Sequence, residues 1–184
     1  MPNNTFTKAR EELLNLVPKH AICAEIGVWK GEFTEHIIRV TEPKTIHLID
    51  PWLFQEEFPG RMYGGSVAQN QQDMTEIHQL VVDKFGRHPA AEFNQGKSKD
   101  VLSTFPDNYF DWVYIDGNHY YDFVREDLEI SKVKVRDGGL ITGDDYRWGK
   151  AEGLPVKSAV EDFCKTHNLS NKLNIIDNQY LIQI

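Results

Sequence analysis

Three aspartates are the residues of this sequence best placed to do chemistry. Asp116 follows the run Trp112-Val113-Tyr114-Ile115, and Asp144-Asp145 follow Leu140-Ile141-Thr142. Each run is short, apolar and rich in aromatic or β-branched residues, as buried strands are. A helix-like segment separates them, and Asp137-Gly138-Gly139 breaks it. Two parallel strands joined by a helix bring their C-terminal tips to one sheet edge, where open α/β sheets bind ligands. Neighbouring strands lie about 4.8 Å apart, so Asp116 should converge with Asp144 and Asp145. Carboxylates pressed together repel unless a cation or a proton separates them. A hard divalent ion held by oxygen ligands, Mg2+ or Mn2+, is the economical expectation. Asp-Gly after a strand is also ordinary turn chemistry; two acidic tips on successive strands together favour a site.

A second group lies earlier in the chain. Ala21 to Ile26 reads as a strand ending at Gly27, and Gly27-Val28-Trp29-Lys30-Gly31 leads into a helix from Glu32 to Val40. Glycines let the backbone turn sharply and approach a ligand. The spacing is G-x-x-x-G rather than the G-x-G-x-x-G of dinucleotide sites, which argues against a nicotinamide dehydrogenase. The next strand, Thr45 to Ile49, ends at Asp50. An acid about 20 positions after the glycine turn sits where a ribose hydroxyl pair is bound. The plain alternative is a strand-ending turn before Pro51. Glu25, just before the glycine turn, suits a further polar contact. Gly96-Lys97-Ser98 lacks the preceding glycine of a phosphate loop, so an NTPase is excluded.

The elements that must position these groups follow from apolar spacing. Thr5 to Val17 carries Phe6, Leu13, Leu14 and Val17 at helical intervals, and Pro18 ends it. This N-terminal helix, within residues 1–18, is expected to cap the sheet or meet a second copy. Residues 51–66 form the least regular stretch, with Trp52, Phe54, Phe58, Met62 and Tyr63 among glycines and prolines. A loop this long in a compact domain is a lid, a binding loop or a disordered excursion; its aromatics argue for packing onto substrate or a partner subunit, although they could equally plug the core edge. Val67 to Phe85 reads as a helix, Ala90 to Phe93 as a short strand and Lys99 to Thr104 as a turn of helix. His78 and His88 read as surface or packing histidines. Pro155 starts a helix to about His167. Lys172 to Ile176 and Tyr180 to Ile184 form a hairpin across Asp177-Asn178-Gln179, an antiparallel end to a parallel sheet.

Bulk properties narrow the class. At 184 residues the chain, 1–184, is expected to form one domain. A net charge of -8 argues against non-specific binding to nucleic acid or anionic membrane. No stretch has the apolar length of a signal peptide or membrane span, and a cytoplasmic address is expected. Cys23 and Cys164 share no metal or redox spacing, and no disulfide is expected.

Taken together, AEIGVWKGEFT, IHLIDPW, FNQGKS, FDWVYIDGNH, DGGLITGDDY and PVKSAVEDF resemble class I S-adenosylmethionine-dependent methyltransferases. The likeness is to the family that includes macrocin-type sugar O-methyltransferases, and it covers residues from about 21 to 165. The resemblance implies a Rossmann-like α/β fold, with helices on both faces of a mostly parallel seven-stranded sheet whose last strand is reversed. It implies that Glu25, Gly27 and Gly31 line the methionine and ribose part of S-adenosylmethionine, that Asp50 holds the ribose, and that Gly96 and Ser98 lie near adenine. Asp116, also beside the cofactor, matches the magnesium-holding positions together with Asp144 and Asp145. His119 matches a histidine proposed as base. Some members carry an aspartate where this chain has Asn118.

The function expected is methyl transfer to a hydroxyl of a small molecule or sugar, assisted by the metal, with Asp116 and His119 as the catalytic pair. His119 could take the proton, since an unperturbed histidine titrates in the right range; it could also merely satisfy a neighbouring carboxylate. Tyr63, Tyr146 and Trp148 are candidates for packing against the acceptor. The competing readings are a non-catalytic cofactor-binding module or partner subunit, and a metal-dependent hydrolase.

Overall fold

A computed structural model describes residues 7–184. The chain forms β1 (Ile22–Ile26), β2 (Thr45–Asp50), β3 (Ala91–Gln95), β4 (Phe110–Ile115), β5 (Val135–Gly143), β6 (Leu173–Ile176) and β7 (Gln179–Gln183). Six helices accompany them: α1 (Lys8–Leu16), α2 (Glu32–Thr41), α3 (Gln71–Phe85), α4 (Ser98–Ser103), α5 (Tyr121–Lys134) and α6 (Pro155–Thr166). The expected start of the first helix, at Thr5 and Phe6, lies outside the described residues. All seven strands join one sheet in the order β3-β2-β1-β4-β5-β7-β6. Pairing is parallel from β3 to β5, and β7 runs antiparallel to both β5 and β6. This is the Rossmann-like architecture that the resemblance implied.

The sheet separates two apolar layers, and strand alternation assigns side chains to each. Trp112 and Tyr114 of β4 pack with Leu13, Leu14, Phe33, Ile37, Val81 and Phe85 from α1, α2 and α3. Val113 and Ile115 face the other way, onto Val124, Leu128, Val160 and Phe163 of α5 and α6, and the irregularity between Phe110 and Trp112 turns Phe110 to the same side. Cys23 and Cys164 are buried, unpaired and in different layers.

Local chemistry sets the helix ends. Thr7 caps α1 by accepting from the Arg10 amide at 3.2 Å. Asn70 caps α3 by accepting from the amides of Gln72 and Asp73, which starts that helix four residues later than the apolar pattern suggests. Pro155 opens α6, where its missing N–H costs nothing. β5 runs straight through Asp137-Gly138-Gly139, with a register shift against β4 between Phe110 and Trp112. A side chain at Gly139 would meet the Asp111 and Arg136 carbonyls, so glycine there permits close pairing rather than a break.

Gly27 matters most for the site. Its φ is +89°, and an added Cβ would run into the Asp116 carbonyl and the Gly117 amide. The tips of β1 and β4 therefore approach each other only because this residue lacks a side chain. Gly27→Ala is expected to destabilise the fold by about 2 kcal/mol or more through backbone strain. Gly60→Ala, whose Cβ would meet nothing, should leave stability within about 0.5 kcal/mol. Paired chemical denaturation curves measure both.

Candidate functional site

Register brings the acidic tips together. Ile115 of β4 lies opposite Gly143 of β5, so Asp116 and Asp144 emerge side by side; the Asp144 amide donates to the Ile115 carbonyl at 3.1 Å. Asp145 follows with φ of +60°, an unusual conformation for a non-glycine residue. Its Oδ1 accepts from Asn178 at 3.0 Å, a donor it shares with Asp144, and its Oδ2 faces His119.

An arginine and a histidine divide the carboxylates between them. The Arg10 guanidinium of α1 binds Asp116 Oδ2 at 2.8 Å through Nη2, and Asp144 Oδ2 at 2.8 Å through Nε and again through Nη2. On the other side, His119 Nε2 lies 3.5 Å from Asp116 Oδ1 and 3.2 Å from Asp145 Oδ2. It is buried and aligned with neither oxygen for a hydrogen bond. Burial pushes the His119 pKa down, but Asp116 and Asp145 outweigh it and hold the ring above its ordinary value. Burial pushes Asp116 up to about 6, against the pull of His119 and Arg10. Burial also raises Asp145, again opposed by His119.

Asp144 does not join the set expected of it. Its Oδ2 receives Arg10, while its Oδ1 accepts from the Asp145 amide at 2.6 Å, from Asn178 at 3.2 Å and from Gln179. With both oxygens taken by fixed donors, Asp116, Asp144 and Asp145 do not fit a shared divalent ion. The groups that do assemble are Asp116, His119 and Asp145, whose ligand atoms all lie within 4.8 Å of one another.

The cofactor candidates behave unequally. Asp50 reaches back over the glycine turn, accepting from the Trp29 amide at 2.9 Å and the Trp52 amide at 2.8 Å. Burial raises its pKa against these amides and that of Val28. A carboxylate oxygen with one donor keeps room for another, so Asp50 still suits a ribose hydroxyl. Gly96, at the tip of β3, has φ of +156°, and a Cβ there would meet only Val101. These two fit a nucleoside. Others are committed inside the protein. Glu25 is 1% exposed and accepts from Thr34 Oγ1 at 2.5 Å. A Cβ at Gly31 would strike the Phe85 ring, so that glycine serves packing. Ser98 donates to Asp127 of α5 at 2.5 Å.

The two loops meet above the cluster. Arg61 lies 4.2 Å over the Trp148 ring and 5.0 Å over the Tyr120 ring, and Phe58 stacks on Tyr120 at 5.6 Å. Trp148 in turn packs against the His119 ring, edge to face at 5.3 Å. The 51–66 stretch is thus folded down over the strand tips. Its first aromatic takes the plainer course, for Trp52 is fully buried and stacks on His78 at 4.2 Å. Tyr146, expected at the acceptor, instead turns inward and donates to Glu161 at 2.8 Å. Asn118 accepts from the Tyr120 amide at 2.9 Å and so shapes the entry to α5.

Sequence reasoning missed Arg10 and Asp127, and both carried a signal. Arg10 shares a helical face with Leu13, Leu14 and Val17, and Asp127 lies between Val124, Leu128 and Ser131 on the buried stripe of α5. A charged residue in an apolar stripe needs a partner.

Comparison with known proteins adds to this geometry. The profile of a family described as a methyltransferase domain matches residues 24–146. The solved O-methyltransferase NovP is 20% identical, with a TM-score of 0.65 over 95% of this chain and 75% of that one. The O-methyltransferase TomG from Streptomyces achromogenes, solved in complex with S-adenosylmethionine, is 16% identical, with a TM-score of 0.60 over 100% of this chain and 82% of that one. A SAM-dependent methyltransferase from Aquifex aeolicus is 14% identical, with a TM-score of 0.60 over 95% and 87%. Among curated proteins none matches. Among the described residues no helix is long and apolar enough to cross a membrane.

Buried acids give the site a pH signature. Burial pushes Glu25 up to about 8, and Asp127 up to about 7. Unfolded, both ionise near pH 4; folded, both stay neutral until those higher values. Raising pH through this window therefore favours the unfolded chain, by up to about 1.4 kcal/mol per unit for each group. Glu25→Gln should flatten the fall in stability between about pH 5 and 8, as denaturation at several pH values would measure.

Proposed function

The chain belongs to the family described as a methyltransferase domain, and on that premise we propose that it transfers the methyl group of S-adenosylmethionine to a hydroxyl of a small molecule or sugar. The observation that carries the reading is the placement of His119. Its Nε2 lies between Asp116 and Asp145, and Asp116 ends β4, which pairs with β1 and stands two strands from β2 and Asp50.

When bound, S-adenosylmethionine supplies an electrophilic methyl group on its sulfonium. The chain's own residues supply the rest. The charges of Asp116 and Asp145 favour a hydrogen on His119 Nε2, which leaves Nδ1 as the atom that accepts the acceptor's hydroxyl proton. Their charges would also stabilise the imidazolium formed when His119 takes the acceptor's hydroxyl proton. Asp50 holds the ribose, and Gly96 leaves room at the adenine end. Arg61, Tyr120 and Trp148 roof the acceptor and exclude water, and the 51–66 loop must lift for ligands to enter. Oxygen, methyl and sulfur must line up, an orientation effect that rigid strand tips favour.

The metal half of the sequence expectation has no step here. The three-aspartate set does not fit an ion as folded, and using His119 as a ligand would remove the base.

Three predictions follow from these roles. S-adenosylhomocysteine should bind the purified chain in isothermal titration, with Asp50→Ala weakening it by about tenfold or more. No binding to the wild type would overturn the cofactor assignment. His119→Gln should lower kcat by about 10²-fold or more while leaving S-adenosylhomocysteine binding intact. In Asp145→Asn, loss of a carboxylate beside His119 lowers its pKa, so the acid limb of the kcat profile should move to lower pH. An unchanged limb would remove His119 as the base.

A further inference from the structure

The sequence places three carboxylates where a divalent ion would be expected, and the fold has brought a side chain there instead. Arg10 reaches from α1 to the tips of β4 and β5, with Asp116 and Asp144 both on its guanidinium. Its planar face rests on the Phe33 ring at 4.6 Å, and its side chain is only 13% exposed. An always-charged planar fork suits two carboxylates better than a single ammonium would. The arrangement is supported from behind, since Asn178 and Gln179 of the terminal hairpin hold the opposite oxygen of Asp144.

We propose that Arg10 is the resident cation of this site, locking Asp116 and Asp144 together and excluding a divalent ion from them. Asp116 Oδ1 is then left to face His119 alone. Arg10 is a positioning residue: it touches neither acceptor nor cofactor, but sets the carboxylate against which the histidine works. The inference concerns the ion and stands apart from the choice of acceptor.

Its test needs neither cofactor nor acceptor. Mn2+ is titrated into the full chain, and the free ion is followed by electron paramagnetic resonance. The wild type should show no binding tighter than about 1 mM, the weak end of protein sites for divalent ions. Arg10→Met, which keeps the stem and removes the charge, should bind Mn2+ at least about tenfold more tightly. Adding Asp116→Asn should abolish the gain. Micromolar binding by the wild type, or no gain in Arg10→Met, overturns the proposal. Should Arg10→Met fail to fold, Arg10→Lys replaces it: a point charge cannot fork two carboxylates, so a smaller gain is expected, and none overturns the proposal. S-adenosylhomocysteine affinity, measured alongside, keeps a failure here distinct from a failure of the methyltransferase reading.

Discussion

Confinement of three carboxylates to the tips of two neighbouring strands is the constraint that the rest of the molecule answers. Parallel pairing of β4 and β5 fixes Asp116 beside Asp144, and the left-handed turn at Asp145 adds a third negative charge. In a partly buried setting such charges are poorly screened and must be matched locally. The chain matches them from opposite ends, with Arg10 from the first helix and Asn178 and Gln179 from the last hairpin. Those partners are 106 and 134 residues away for Arg10, and 33 to 35 for the hairpin. The acidic edge therefore ties the beginning, middle and end of the chain into one unit.

The same edge gathers backbone conformations that cost free energy. Trp29, Trp52 and Asp145 all have positive φ, and each directly follows, or lies within a few residues of, a strand tip. Two of these are stabilised by Asp50, which accepts from the amides of Trp29 and Trp52. Asp50 thus shapes the turn over which a nucleoside would lie as well as offering it an acceptor. Above this frame the roof is made of stacked rings around Arg61, and the backbone hydrogen bonds of residues 55–66 close within the loop rather than onto the strands. Such a roof can open without disturbing the sheet.

Much of the architecture was legible because it depends on local signals. Apolar runs ending at glycine or aspartate gave β1, β2 and β4, and the amphipathic stripe gave α2 from Glu32 onwards. The Asp177-Asn178 turn announced the closing hairpin. What escaped depends on distant partners. Asp144 looked like a third ligand because nothing near it in sequence reveals Arg10, Asn178 or Gln179. Trp52 could equally have lined a lid or plugged the core edge; a positive φ turns it into the core. Gly31 looked like a ligand-facing glycine until the Phe85 ring was found against it. Asp116 and Asp145 were correctly expected to meet, and their nearest shared partner is a histidine rather than a second aspartate.

The most direct measurement is a crystal structure with S-adenosylhomocysteine bound. The account predicts the ribose hydroxyls on the Asp50 carboxylate, adenine beside Gly96, and the sulfur facing His119 with Arg10 still across Asp116 and Asp144. A nucleoside seated elsewhere, for example in the hollow of about 180 Å³ bounded by Thr7, Arg10 and Asp177 to Gln179, would contradict it.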